Sequence, residues 1–219
     1  MDTVVYIMNH NLNENSEGLY RFFTQICKMD CFILHSGEEK FHESVILTGG
    51  TSYVSILNKG LELQKSTHSN YDWAFYIASD VKVNENLYID FLINLKDYKN
   101  FGVISPSVDG RALGFMKNQG SKEVREVPFC EGMVFALQKS VADTVPLFEN
   151  NHIGYGCDVY FAFKSWQMGL PCGVSDKSFV YHPEACSYSI QEACRQYDIW
   201  LENLPDKQQL FHFKQLKGA

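Results

Sequence analysis

Three side chains in this sequence have the chemistry to hold a cation or move a proton, and each stands at the edge of an apolar run. Asp80 follows Trp73-Ala74-Phe75-Tyr76-Ile77-Ala78 after Ser79, His182 follows Val180-Tyr181, and Asp158 follows the loop Gly154-Tyr155-Gly156-Cys157. A carboxylate and an imidazole at neighbouring strand ends can chelate one divalent ion, and oxygen donors with one imidazole suit Mn²⁺, with Mg²⁺ a poorer match. Such an ion can neutralise a diphosphate and stabilise it as a leaving group. Each residue also has a plain structural reading. An Asp after a strand serves as a helix N-cap or turn former, and Asp158 can cap the helix that it opens. His182, before Pro183, can be a hydrogen-bonded loop histidine. It is the combination, in this order along the chain, that points to chemistry. Gly49-Gly50 lacks the G-x-G-x-x-G pattern and a following Lys-Ser/Thr, so it makes a better turn than phosphate cradle.

The elements that must position these residues alternate. Continuous apolar runs predict buried strands at residues 4–8, 31–34, 73–78, 103–104, 133–137 and 180–181. Helical spacing is present in Leu19, Phe22, Phe23 and Ile26, with Glu14 and Glu17 at the N-terminal end, where the helix dipole favours acids. Further helices are predicted from Thr51 or Ser52, through Leu87, Phe91 and Leu95, and over 158–168, with Gly169 as the stop. Ser189-x-x-Glu192 fits a capping box that opens a C-terminal helix ended by Pro205. Strands alternating with helices predict an α/β fold with a mostly parallel sheet flanked by helices, and ligands sit beyond the carboxyl ends of such strands. The glycine-bearing stretch 105–128 is expected to be either a lid over a substrate or a surface loop. Tyr160, Phe161, Phe163 and Trp166 are expected in the core.

Composition removes other classes. The chain has 219 residues, enough for one domain with a substantial core. Its formal net charge is -7, with no window dominated by Lys or Arg, which argues against a nucleic-acid partner. The 7 cysteines contain no C-x-x-C pair, so zinc-ribbon spacing is absent and reduced, buried thiols in a cytoplasmic protein are expected. No signal peptide opens the sequence, and no apolar stretch is long enough to span a membrane.

In order and spacing, these segments resemble the GT-A glycosyltransferases of the family-2-like, nucleotide-sugar-dependent type. The likeness covers about residues 1–185. Tyr6-Ile7-Met8-Asn9-His10-Asn11 is similar to the family's first nucleotide-contacting segment. Asn58-Lys59-Gly60-Leu61 is similar to its N-x-G stretch, and Tyr71 to Val81 resembles the strand leading into a D-x-D metal site. Tyr155-Gly156-Cys157-Asp158 resembles the acidic motif on the acceptor side. Gly169, Val174 and Val180-Tyr181-His182 resemble the closing segment, whose His often completes the metal site. There is also a vaguer likeness to the compact transferase domains of large DNA viruses, of the chlorella-virus type, that glycosylate capsid protein. Two departures stand out. Ala78-Ser79-Asp80 has only one acid where the family has D-x-D, and Cys157 stands where many relatives carry Glu.

The resemblance implies a single GT-A, Rossmann-like domain. Residues 1–100 would form the nucleotide-sugar half, 101–188 the acceptor half, and 189–219 a C-terminal helix and tail. It implies a UDP-sugar donor, such as UDP-glucose or UDP-rhamnose, lying near Asn9, His10, Asn11, Ser36, Asn58, Ser79 and Asp80. Mn²⁺ or Mg²⁺ would be held by Asp80 and His182, and a glycan or glycoprotein hydroxyl would accept the sugar. Asp158 would be the general base of an inverting enzyme, or the steadying carboxylate of a retaining one. Glu131 is a second candidate for sugar contact, with a surface turn acid as its plain reading. Two rivals remain. A sugar-phosphate nucleotidyltransferase usually carries a Gly-rich loop with Arg and Lys after the first strand, whereas residues 9–14 hold none of these. A degenerate GT-A domain that binds nucleotide or sugar without chemistry is the other.

Overall fold

The computed structural model describes residues 2–148, 154, 156–183, 190–204 and 206–217. The strands are β1 (Thr3–Asn9), β2 (Asp30–His35), β3 (Val45–Leu47), β4 (Trp73–Ala78), β5 (Val103–Gly110), β6 (Val124–Val127), β7 (Val134–Gln138) and β8 (Cys172–His182). The helices are α1 (Asn13–Arg21), α2 (Tyr53–Lys65), α3 (Lys139–Ala142), α4 (Cys157–Gln167), α5 (Ile190–Asn203) and α6 (Lys207–Lys217). Ser189, Pro205, Tyr155 and Cys186 lie outside the described residues, so the capping box and the proline stop are not seen.

All eight strands form one sheet in the order β3-β2-β1-β4-β7-β5-β8-β6. β1, β2, β3 and β4 run parallel; β7 is antiparallel to both β4 and β5; β8 is parallel to β5, and β6 antiparallel to β8. The mostly parallel expectation therefore holds, with β6 and β7 reversed. β1 and β4 lie inside the sheet, which explains their unbroken apolar runs: Val4 to Ile7 and Trp73 to Ile77 have no exposed surface. Their parallel register puts Met8 opposite Ala78, so Asn9 and Ser79-Asp80 emerge side by side.

Several expectations change in detail. Ile26 is 59% exposed although Leu19 and Phe23 are buried. A π-helical turn at Phe22–Ile26 rotates it off the apolar face, because the wider turn adds a residue to the period. Segment 105–128 is not one loop: it contains the end of β5, a 3₁₀ turn at Gly114–Met116, and β6. The turn between them is tied down. Asp176 Oδ2 accepts from Arg125 Nε at 2.9 Å, Ser121 N at 3.0 Å and Gln119 N at 3.1 Å. Arg125 also donates to the carbonyls of Phe115 and Lys117. Tyr160, Phe161 and Phe163 are core as expected, but Trp166 is 36% exposed at the rim, its ring 5.6 Å from that of Phe213 on α6. α6 itself is an addition to the single expected tail helix. Cys27, Cys31, Cys130, Cys157 and Cys172 are buried free thiols, and Cys194 is exposed. No helix among the described residues is long and apolar enough to cross a membrane.

Candidate active site

Because β1, β2, β4, β5 and β8 share a direction, Asn9, His35, Ala78, Gly110 and His182 all reach the same edge of the sheet. β7 runs backwards, so the residues preceding it arrive at that edge too. Ala78 N–H donates to Met133 O at 2.8 Å, which brings Glu131-Gly132 beside the end of β4.

Asp80 and His182 meet there. His182 Nε2 lies 3.4 Å from Asp80 Oδ2, with the imidazole 12% exposed and the carboxylate 35% exposed. The backbone sets this spacing. Lys82 and Tyr181 exchange two N–H···O bonds, of 2.8 and 3.0 Å, cross-tying the chain after Asp80 to the strand before His182. Arg111 clasps the histidine from the other side. Its N–H donates to His182 O at 3.1 Å, and His182 Nδ1 lies 3.0 Å from Arg111 O. A ring N–H on Nδ1 directed at a carbonyl leaves Nε2 as the free nitrogen facing Asp80 (the arrangement that metal-ligating histidines use). Gly110 permits the clasp. Its φ is +83°, and a Cβ there would stand 2.1 Å from His182 O. Asp80, as an acceptor for the protonated imidazole, raises the His182 pKa, and the Arg111 carbonyl adds to it against an opposing effect of burial.

Asp158 is the second residue of α4, not its cap. Gly156, with φ +92°, occupies the cap position without a side-chain bond. Asp158 Oδ1 accepts from Val159 N at 2.8 Å, and Oδ2 accepts from Gly132 N at 3.3 Å. Burial pushes its carboxyl up to about 6; the two N–H donors oppose this and the nearby Glu131 charge reinforces it. Burial also raises Glu131, whose Oε2 accepts from Leu113 N at 2.8 Å, while the charges of His182 and Arg111 oppose the shift. Asp80, His182, Glu131 and Asp158 are thus one group of side chains drawn from four segments.

The other expected site residues fall into two places. Asn9 is buried with its amide committed locally. Nδ2 donates to Asn13 Oδ1 at 2.9 Å and lies 3.1 Å from His35 Nδ1, and Oδ1 accepts from Leu12 N at 3.0 Å. It shapes the β1–α1 turn, in which Asn11 takes φ +61°. The exposed His10 is held by Ser36, Nδ1 to Oγ 2.7 Å. The buried Ser79 ties β4 to β1 through its N–H to Met8 O, 3.0 Å. Asn58 stands apart on α2. Its amide brackets Phe148, donating to the carbonyl at 2.9 Å and accepting from the N–H at 2.8 Å. Asn58 also lines a cavity of about 430 Å³ with Thr48, Gly50, Ser52, Ser55 and Lys59, a volume in the range of small-ligand sites. The Ser52 hydroxyl caps α2 by accepting from Ser55 N at 3.2 Å. Arg111, Gly110 and Tyr53 are parts of the site that pattern reading passed over; a glycine before a basic residue at a strand end was the one available signal, for Gly110-Arg111.

Among the described residues no group of three or more His, Cys, Asp or Glu side chains could hold a metal by itself. Asp80 and His182 nevertheless suit a shared cation. Two donors each about 2.1–2.2 Å from a common ion stand about 3.0–3.1 Å apart at the right angle of an octahedron and about 3.4–3.6 Å apart at the tetrahedral angle, so the observed 3.4 Å gap falls in the range that one ion can bridge. Such ions commonly take only one or two protein ligands and complete their shell with substrate phosphates and water.

No family model matches the sequence, and no curated protein matches it. Solved structures do. GalNAc-T7, in a structure with UDP, GalNAc and Mn2+, superposes with a TM-score of 0.65 at 13% identity, over 100% of this chain and 55% of its own. The chain has the GT-A fold. The mannosyltransferase PcManGT from Pyrobaculum calidifontis, in complex with GDP-Man and Mn2+, gives 0.62 at 12% identity, over 97% of this GT-A chain and 68% of its own. A glycosyltransferase involved in the glycosylation of the major capsid of PBCV-1 gives 0.48 at 10% identity, over 90% of this chain and 100% of its own. The chain thus spans about half the length of GalNAc-T7.

Proposed function

We propose that the chain is a nucleotide-sugar-dependent glycosyltransferase. The observation that carries this is the Asp80–His182 pair, set 3.4 Å apart by backbone cross-ties at the carboxyl edge of a GT-A sheet. GalNAc-T7 and PcManGT, with UDP or GDP-Man and Mn2+ in their crystals, support a nucleoside-diphosphate-sugar donor and a divalent cation. On this reading Asp80 Oδ2 and His182 Nε2 hold Mn²⁺ or Mg²⁺, which when bound supplies positive charge to the departing diphosphate. Arg111 holds the imidazole in its ligating tautomer. Asn9, His10, Asn11, Ser36 and Ser79 form the floor under a UDP-sugar, and Asn58 acts on it through the backbone that it brackets. Asp158 takes the proton from an acceptor hydroxyl, and Glu131 contacts the sugar. A carboxyl poised near 6 is ionised at neutral pH and still basic, which suits a general base. The acceptor is a glycan or glycoprotein.

The test is calorimetric binding of UDP with and without Mn²⁺, followed by transfer assays over a panel of nucleotide sugars. Asp80→Ala is expected to lose Mn²⁺-dependent UDP binding and turnover while keeping its circular dichroism spectrum. Equal Mn²⁺-dependent binding in that variant would remove the assignment. The two-donor metal set favours one alternative, a domain that binds without chemistry. UDP binding with neither transfer nor donor hydrolysis would select it.

A further inference from the structure

Tyr53 is the first residue of α2 after the Ser52 cap. Its hydroxyl donates to the carbonyl of Gly132, 79 positions further along the chain. Its ring occupies space that two glycines leave open. A Cβ on Gly132 would stand 2.8 Å from the Tyr53 hydroxyl oxygen, and one on Gly154 would stand 2.3 Å from ring carbon Cδ1. Carbon atoms in contact sit about 3.5–4.0 Å apart, so neither position admits a side chain while the ring is there. These two glycines hold the backbone around Asp158. The N–H of Gly132 donates to Asp158 Oδ2, and the carbonyl of Gly154 accepts from Cys157 N at 3.2 Å, in the turn that starts α4.

We infer that Tyr53 is a positioning residue for the Asp158 carboxylate: one phenol fixes both the glycine whose N–H hydrogen-bonds Asp158, by holding the carbonyl of the next peptide, and the turn from which Asp158 projects. The geometry stands without a reaction; the consequence for catalysis rests on the glycosyltransferase reading. The hydroxyl holds the Gly132 carbonyl, and with it the orientation of the neighbouring N–H towards Oδ2. Removing the hydroxyl lets the 131–132 turn relax. Asp158 then loses an N–H donor that favours its ionised form. The groups facing Asp158 are Glu131 from the turn before β7, the thiol of Cys130 on the same segment, and its own neighbour Cys157. Burial keeps both thiols protonated. Arg111 and His182 act on Glu131 from its far side. Tyr53 therefore works on Asp158 through hydrogen-bond geometry, not through charge.

The test is Tyr53→Phe, read by ¹³C NMR titration of carboxyl-labelled aspartate. The Asp158 midpoint is expected to rise by roughly half a unit to one unit. In transfer assays, kcat should fall about tenfold with donor KM unchanged, and the effect should vanish in an Asp158→Asn background. An unchanged Asp158 midpoint, or an equal loss in the Asp158→Asn background, overturns the inference. In the wild-type protein the Gly132 amide resonance should follow the Asp158 titration near pH 6. A flat Gly132 response overturns it whether or not the variant folds. If no nucleotide sugar supports transfer, the glycosyltransferase reading fails on its own, and the two NMR titrations still decide the role of Tyr53.

Discussion

Asp158→Asn should make the protein more stable and less active. Burial and the Glu131 charge raise the Asp158 carboxyl from 3.8 to about 6, roughly two units. At about 1.36 kcal/mol per unit, the ionised form destabilises the fold by about 3 kcal/mol at neutral pH. The sign follows from linkage. A folded-state pKa above the unfolded one means that the folded protein binds the extra proton, so this group's stability is fully present below about pH 4. It is lost as pH rises to about 6. Asparagine removes the charge but keeps only one acceptor for the N–H groups of Val159 and Gly132, a loss of about 1 kcal/mol. The net gain at pH 8 is about 1–2 kcal/mol, or a few degrees in Tm for a domain of this size. Urea unfolding at pH 8 and pH 5 checks it. The variant's advantage should shrink by about 1 kcal/mol at pH 5, where folded Asp158 in the wild type is protonated. Transfer should fall about 10²-fold or more. An advantage that is absent at pH 8, or unchanged at pH 5, refutes the account of Asp158 as a carboxylate held against its preference.

Gly110→Ala places a Cβ 2.1 Å from His182 O at φ +83°, so it should destabilise the fold and weaken Mn²⁺-dependent UDP binding together; calorimetry with chemical unfolding reads both. Arg125→Ala leaves Asp176, whose side chain has 0% exposure, with only the Gln119 and Ser121 N–H donors; a loss of about 3 kcal/mol is expected in urea unfolding. Burial pushes the Asp176 carboxyl up, but Arg125 and those N–H groups together hold it below the ordinary range. The stability this pair contributes is therefore present at neutral pH and lost as pH falls through that depressed value, and pH-dependent unfolding of wild type against Arg125→Ala measures it. Asn58→Ala removes both bonds to Phe148 and should lower stability by about 2 kcal/mol; an unfolding curve unmoved by the substitution would show that the bracket contributes nothing.

The sequence displayed what burial makes obvious and hid what depends on pairing. β4 was legible because both its faces are covered, so its residues are apolar without a break. β3 and β6 were not, being edge strands of three and four residues, with the charges of Arg125 and Glu126 inside β6. β8 was visible only at Val180-Tyr181. Its buried interior carries Gly173, Ser175, Asp176 and Ser178, which break the apolar pattern, and the one charge among them, Asp176, is met by Arg125 from β6. Order along the chain was enough to suggest the Asp80–His182 pair. The place of Glu131 was beyond it. Were β7 parallel to β4, Glu131 would stand at the opposite edge of the sheet; its reversed direction is a fact of tertiary pairing that no local pattern announces. Tyr53 was hidden for the same reason, since its partners Gly132 and Gly154 lie in a different part of the chain.

α4 carries Asp158 in its first turn and is strapped at Tyr160 and, one turn on, at Lys164. Asp206, just ahead of α6, accepts from Lys164 Nζ at 2.7 Å and from the Tyr160 hydroxyl at 3.2 Å. A rod pinned this way cannot swing as a flap, so any opening beside Asp158 has to come from the walls around it. The same strap makes the tail a lever: a force that drew α6 off the domain would pull on α4 through Asp206, and so on the helix that carries Asp158.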